Sequence, residues 1–355
     1  MKRLLKNPLA VISLSVIFIF TCVAVLGYAI TPDKSPYANE QHLELAVKKP
    51  GFKVKMLKIH NQEIQNSSPT SSKPSFLKNM LYGTAVTTQN IPVYDYHITK
   101  DGQLSYETFT GDTPNQGEKF LLPKGTQYEI TTQKYILGTD RYGRDLLSQL
   151  MIGTRVSLSV GFIAIFIALA IGITLGALAG YYGGKTDSVI MWIINVIWSM
   201  PTILLVIAIT FALGKGFWQV FVAVGLTMWV DIARMVRGQI MSLKEKEFIL
   251  AGRALGFSDS RIIIKHLLPN VIGSVTVIIA SNFATAILQE AGLSFLGLGV
   301  QPPMPSWGTM IKENYGYIIL DAAYMAVIPG LAIMILVLAF ILLGSALRQT
   351  LNVKA

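Results

Sequence analysis

Long stretches of this chain carry no charge at all: residues 9–30, 156–181, 189–213, 271–289 and 322–347. About 20 consecutive apolar residues are needed for a helix to cross the hydrocarbon core, so each run is a candidate span. A sixth run, 216–230, is shorter. It continues through Asp231 toward Arg234, whose long side chain can snorkel to the interface. The runs predict an all-α polytopic membrane protein with six transmembrane helices. Composition agrees, with 52% hydrophobic and only 14% charged residues. Soluble domains carry about 25% charged residues, so an ordinary cytosolic enzyme is excluded.

Lys2, Arg3 and Lys6 precede the first run in the manner of a signal peptide. The run exceeds the roughly 7–15 residues of a cleaved apolar region, which favours an uncleaved anchor. Orientation follows from Lys and Arg in the short connections. The N-terminal tail, the Lys185 turn, residues 231–266 and the C-terminal tail hold thirteen, against two (Lys215 and Lys312) on the other side. Both termini are therefore expected in the cytosol. Residues 31–155 are then outside, with fifteen basic and twelve acidic residues in near balance. Residues 52–56, 91–98 and 104–109 alternate apolar and polar, which predicts short strands in a small β-rich insertion between the first two helices. Residues 66–74 read as a linker, and Asn66-Ser67-Ser68 fits a glycosylation sequon. The expected layout is 1–32 for the tail and first helix, 33–136 for the insertion, 137–348 for the remaining five helices and 349–355 for a short tail.

No catalytic constellation is visible. There is no Gly-Lys-Ser/Thr phosphate loop, no nucleophile motif and no His-Glu-x-x-His. The single cysteine, Cys22, permits no disulfide, and His42, His60 and His97 lack metal-ligand spacing. The net charge of +10 is not gathered in one patch, so nucleic acid is not an expected partner. Ionisable groups are nearly missing from the runs, where Asp231 and Glu290 fall near predicted ends. Carboxylates inside a membrane commonly mark ion coupling, so the driving energy is expected from outside the membrane region. Asn195, Ser199, Asn282 and Thr285 are neutral and polar inside the runs; they either hydrogen-bond between helices or line a polar passage. Pro201 and Pro329 are expected to kink their helices. The charged stretch around Asp140 reads as a turn, with Thr139 or Asp140 capping an amphipathic helix that feeds the second span.

The most informative stretch is 247–270, EFILAGRALGFSDSRIIIKHLLPN. It reads as two short helices with a sharp bend. Gly256 supplies a left-handed stop, Ser258 caps the second helix with Asp259 in its first turn, and Pro269 suits the start of the next span. Ala251 and Gly252 leave one side bare beside Leu250, Ala254 and Leu255. Such a partly apolar knob either enters a groove on a soluble partner or packs beneath its own bundle.

This stretch resembles the cytoplasmic EAA loop of ABC importer permeases. Ala251 matches the first alanine of that pattern, Gly256 its glycine and Leu268-Pro269 its ending. Leu250 stands where the family has glutamate and Gly252 where it has a second alanine, while Glu247 lies one turn earlier. Residues 137–161, 180–187, 233–239 and 292–308 (GLSFLGLGVQPPMPSWG) are similar to the dipeptide/oligopeptide permease subfamily. The insertion is longer than the family leads one to expect.

The resemblance implies a type I ABC importer permease fold in the bacterial inner membrane. It implies half of a channel made with a second homologous permease, two ABC ATPases that carry ATP and Mg, an extracytoplasmic solute-binding protein, a surrounding lipid bilayer and a peptide cargo. The ATPase-coupling residues would be Glu247, Leu250, Ala251, Gly252, Gly256, Asp259, Leu268 and Pro269. Asn195, Ser199, Asn282 and Thr285 are the candidates for the path. The chain itself would bind no cofactor or metal and hydrolyse nothing. Nickel or another peptide-like solute is an alternative cargo. A membrane-anchored structural or sensing protein is an alternative class, and a secondary carrier is another.

Overall fold

The computed structural model describes residues 4–60, 76–84, 88–111, 117–214 and 216–351. The 66–74 linker with its sequon, and the basic residues Lys2, Arg3, Lys215 and Lys354, lie outside the described residues.

The first helix, α1 (Pro8–Leu26), starts with proline in its first turn, where a missing N–H costs nothing. Asn7 Oδ1 caps it by accepting the Leu9 N–H at 3.0 Å. An antiparallel sheet follows, made of β1 (Phe52–His60), β2 (Thr88–Ile98), β3 (Leu104–Thr108), β4 (Lys119–Leu121) and β5 (Tyr128–Tyr135), with α2 (Phe76–Tyr82) between β1 and β2. The strand order is β4-β3-β2-β1-β5. The expected strands are present at each of the three predicted places.

The membrane part follows with α3 (Leu146–Tyr182), α4 (Gly184–Trp198), α5 (Thr202–Leu213), α6 (Phe217–Lys244), α7 (Glu247–Ala254), α8 (Asp259–Phe295), α9 (Trp307–Asn314) and α10 (Tyr324–Thr350). Five of the described helices are long and apolar enough to span, and the bent pair α4–α5 makes a sixth if it counts as one. Together these define an all-α polytopic membrane fold with a small antiparallel sheet inserted between its first two spans.

Three expectations need correction. The third run is no simple kinked span: at Ser199–Pro201 its two halves bend by 94°. Proline cannot donate the N–H a continuing helix requires. Pro329, by contrast, sits inside an unbroken α10. The second correction concerns the start of α3. Its cap is Asp145, whose side chain accepts the Ser148 N–H at 2.9 Å, not Thr139 or Asp140. Asp140 instead closes the preceding turn, accepting the Tyr142 and Arg144 N–H groups at 2.9 Å each. The feeding helix and the second span are one continuous α3. Third, Asp231 and Glu290 lie within helices rather than at span ends, because α6 and α8 both outrun the uncharged segments.

The core is centred on α3 and α6. Gly172, Gly176 and Gly180 recur every fourth residue, so they share one face of α3. A Cβ at Gly176 would lie 2.5 Å from the Ala233 carbonyl oxygen, and one at Gly180 would lie 2.8 Å from that of Arg237. Hydrogen at these positions lets the two backbones touch, as close-packed membrane helices require.

Candidate functional site

The knob between α6 and α8 is anchored from within. Ile249, Ile262 and Leu267 are buried and join the α3–α6 core. The α7 helix ends in a full Schellman arrangement: Phe257 N–H donates to Gly252 O at 3.0 Å and Gly256 N–H to Arg253 O at 2.9 Å, with Gly256 at φ 76°. The second predicted short helix is the root of α8 itself, joined through a π-helical turn at Ile262–Leu267. Ser258 takes the N-cap backbone geometry there without a side-chain bond, and Pro269 lies in the first turn of the α-helical part. Tyr181, at the end of α3, donates its hydroxyl to Asp259 at 2.6 Å, while the Arg253 guanidinium lies over its ring. The knob therefore moves with α3 and α8.

Its outer face is apolar. Leu250 is 49% exposed, Leu255 74% and Ile264 62%, with Ala251 and Ala254 between them. Glu247 is exposed in the first turn of α7. Gly252 does not contribute a bare docking side. It is buried, and the Phe257 ring fills the space where its Cβ would stand, at 3.2 Å. Leu268 is half-buried and Pro269 exposed.

A second feature lies in the membrane part. A cavity of about 100 Å³ sits where α4 and α5 break, between α6 and α8. Its lining includes Asn282 and Thr285 of the predicted path. Asn195 and Ser199 are not part of it; both are exposed, and the Ser199 hydroxyl donates to Val196 O at 2.7 Å. Trp198, Thr202, Thr227, Asp231 and Gln289 complete the polar lining. The Arg234 guanidinium lies 3.9 Å from the centre of the Trp198 ring.

Three ionisable side chains tie helices together. Asp187 and Arg237 form a bidentate pair at 2.5 and 2.6 Å, joining the start of α4 to α6. Both belong to stretches singled out in the sequence, but their pairing shows only in three dimensions. Glu290 is fully buried in α8 and accepts hydroxyl protons from Ser157 of α3 at 3.2 Å and Ser294 at 2.8 Å. Among the described residues no group of three or more His, Cys, Asp or Glu is placed to hold a metal ion.

Long apolar helices, a helix break beside a polar cavity and an anchored knob with an apolar outer face define a multi-pass membrane transport subunit. Residues 172–353 match the family model described as binding-protein-dependent transport system inner membrane component, and the chain belongs to that family. Residues 1–50 match the N-terminal TM domain of oligopeptide transport permease C. The chain is 43% identical over 218 residues to a glutathione transport system permease protein of Pectobacterium atrosepticum, covering 61% of this chain and 72% of that one. It is 42% identical over 217 residues to a dipeptide transport system permease protein of Alkalihalophilus pseudofirmus, covering 61% and 71%. A dipeptide transport system permease protein of Lactococcus lactis subsp. cremoris is 39% identical over 254 residues, covering 72% and 74%. This is a non-catalytic permease subunit of an ABC importer of the dipeptide/oligopeptide type, resident in the inner membrane.

Proposed function

We propose that this chain forms half of a channel for peptides, paired with a second homologous permease and moved by ATPases that dock on the knob at 247–269. Both termini and the knob face the cytosol, the inserted sheet at 33–136 faces outward, and a solute-binding protein delivers cargo on that side. The observation that carries this reading is the mechanical continuity of α8. Its root is the knob and its middle carries Asn282 and Thr285 beside the polar cavity. At 1.5 Å per residue, Asp259 and Asn282 are about 35 Å apart along one helix. Force on Leu250, Ala251 and Leu255 crosses the Gly256 turn into the root of α8 and then reaches the path along that one helix. Closure of the ATPases would favour one of two bundle arrangements, which is alternating access by differential affinity. Peptide cargo is supported by the oligopeptide permease model over residues 1–50 and by the dipeptide and glutathione permeases among the relatives. Nickel or another peptide-like solute is the competing cargo.

The test is Gly256→Asp together with Leu255→Asp. Gly256 has open space around it but a left-handed φ, so aspartate strains the turn by about 1–2 kcal/mol without a clash. Leu255 is exposed, so its change leaves the fold alone. Both variants should insert in the membrane at wild-type level, lose co-purifying ATPase and lose ATP-dependent peptide uptake at least tenfold. Normal ATPase yield with Leu255→Asp would refute docking at the knob.

A further inference from the structure

The cavity at the α4–α5 break holds polar atoms that the chain itself does not satisfy. Asn282 is only 7% exposed, and its Nδ2 has no hydrogen-bond partner. Gln289 Oε1, two turns along the same face of α8, is buried and equally unpartnered. Both residues line the cavity. Asp231 lines the same cavity from α6; it is exposed, and its carboxylate takes no hydrogen bond from this chain. Arg234, one turn further on, lies against the Trp198 ring, close enough for its charge to act on that carboxylate. A membrane bundle rarely leaves a buried donor and a buried acceptor unmatched in one place, because hydrocarbon offers them nothing. Such a set is stable if something that passes through completes it.

The chemistry of that visitor follows from the donors and acceptors. Asp231 and Gln289 Oε1 are acceptors, and the Thr285 oxygen, whose proton goes to Ser281 O at 3.2 Å, retains acceptor capacity. Asn282 Nδ2 is a donor. The Asp231 carboxylate and the Gln289 acceptor beside the Asn282 donor match an ammonium group with a carbonyl one carbon away, which is the amino end of a peptide, and Trp198, Thr202 and Thr227 complete the polar lining. The cavity's volume of about 100 Å³ is several times the roughly 10–15 Å³ that admits one water molecule, which is room for a small terminal group.

We propose that this cavity is a transit subsite for the amino terminus of the peptide, with Asp231 and Gln289 taking the ammonium and Asn282 the first carbonyl oxygen. The proposal rests on the peptide reading above and sharpens it, because a passage lined only by neutral groups would not distinguish the two ends of its cargo. Asp231 is a recognition group here, and the carboxylate has no part in ion coupling.

The test uses the complete transporter in liposomes: this chain, its sister permease, the ATPases and the binding protein. Import is measured for one tripeptide with a free amino terminus and for its N-acetyl counterpart, each saturating the binding protein so that its preference drops out. Wild type should import the free peptide at least tenfold faster. Asp231→Asn should bring the two rates within twofold by slowing the free peptide, and Asp231→Glu should keep most of the discrimination. A wild-type ratio near one would overturn the subsite, as would an Asp231→Asn variant that keeps the wild-type ratio or slows both peptides equally. Failure of wild type to import either peptide would instead overturn the peptide reading and the subsite with it.

Discussion

Two attachments hold this molecule together, and they are built from opposite materials. Where α3 meets α6, the contact is made of almost nothing: Gly172, Gly176 and Gly180 give up their side chains so that backbones touch. Where the inserted sheet meets the bundle, the contact is made of charge and hydrogen bonds. Arg144 is buried between Asp140 and Glu313, with ion-pair distances of 2.6 Å to each, and also donates to Asn39 Oδ1 at 3.2 Å. Gln149 Nε2 donates to Ala38 O at 2.6 Å, and the Tyr324 hydroxyl to Lys48 O at 2.8 Å. The difference follows from the solvent. Lipid is as apolar as leucine, so burying apolar surface between helices gains little there, and close packing with a few interhelical hydrogen bonds holds them. At the aqueous end, directional polar contacts fix how one body sits on another, and removing one partner strands the rest.

The glycine contact should be the least forgiving. Gly176→Leu would put a Cβ 2.5 Å from the Ala233 carbonyl oxygen, and two backbones must separate to admit it. The expected result is loss of folded protein, seen as collapse of the monodisperse peak after mild detergent extraction. Gly238, on the same α6 helix, has nothing within 4 Å of its built Cβ. Gly238→Leu should therefore be neutral or stabilising by up to about 1 kcal/mol, since leucine is the better helix former. Equal damage from both would mean that the glycines serve flexibility and not approach.

Next in size is Arg144→Ala. It leaves the buried Asp140 carboxylate without its cation and Glu313 without its closer one, a loss of about 3–5 kcal/mol by comparison with other buried pairs. Hydrogen exchange should rise sharply in residues 33–48 and 137–149, while β1, β2 and β5 stay protected. If the strands open as well, the sheet has no stability of its own and the junction is part of its fold.

Legibility in the sequence divides along the same line. The spans could be read because an uncharged run of bilayer length has few other uses, and the knob because its glycine stop and its proline sit at fixed spacing. The inserted sheet was only half visible, and β1 shows why. Val54 and Met56 are buried on one face with Leu45, Phe109 and Tyr135, but Leu57 and Ile59 are buried on the other with Val93, Leu104 and Leu122. The apolar side changes at Met56–Leu57, so a period of two fails halfway along the strand. The 94° break at Pro201 was underestimated as a kink, because local sequence does not say whether neighbouring helices hold a proline helix straight, as they do at Pro329. The cavity was the least legible feature. Asn282 and Thr285 are candidates from the sequence and Gln289 shares their helix, but Asp231 joins them from α6 only once α6 and α8 are packed.

The smallest expected effect tests whether charge at the junction is wholly favourable. Asp33 is buried, and its oxygens accept the Ser35 N–H at 2.7 Å and the Glu40 N–H at 3.2 Å. Burial nevertheless outweighs these donors and holds its carboxyl above the ordinary value of 3.8, with Glu40 adding repulsion. The folded state thus holds the proton more tightly than the unfolded chain. Its contribution to stability is complete below the ordinary value and is lost as pH rises through the raised one. Asp33→Asn removes this titration. In hydrogen exchange of residues 33–48, wild type should gain protection relative to Asp33→Asn as pH falls from 7 toward 4, after correction for the intrinsic exchange rate. A change in the opposite direction would show that the two N–H donors stabilise the carboxylate more than burial penalises it, and the junction would then resemble an ordinary anion-binding turn.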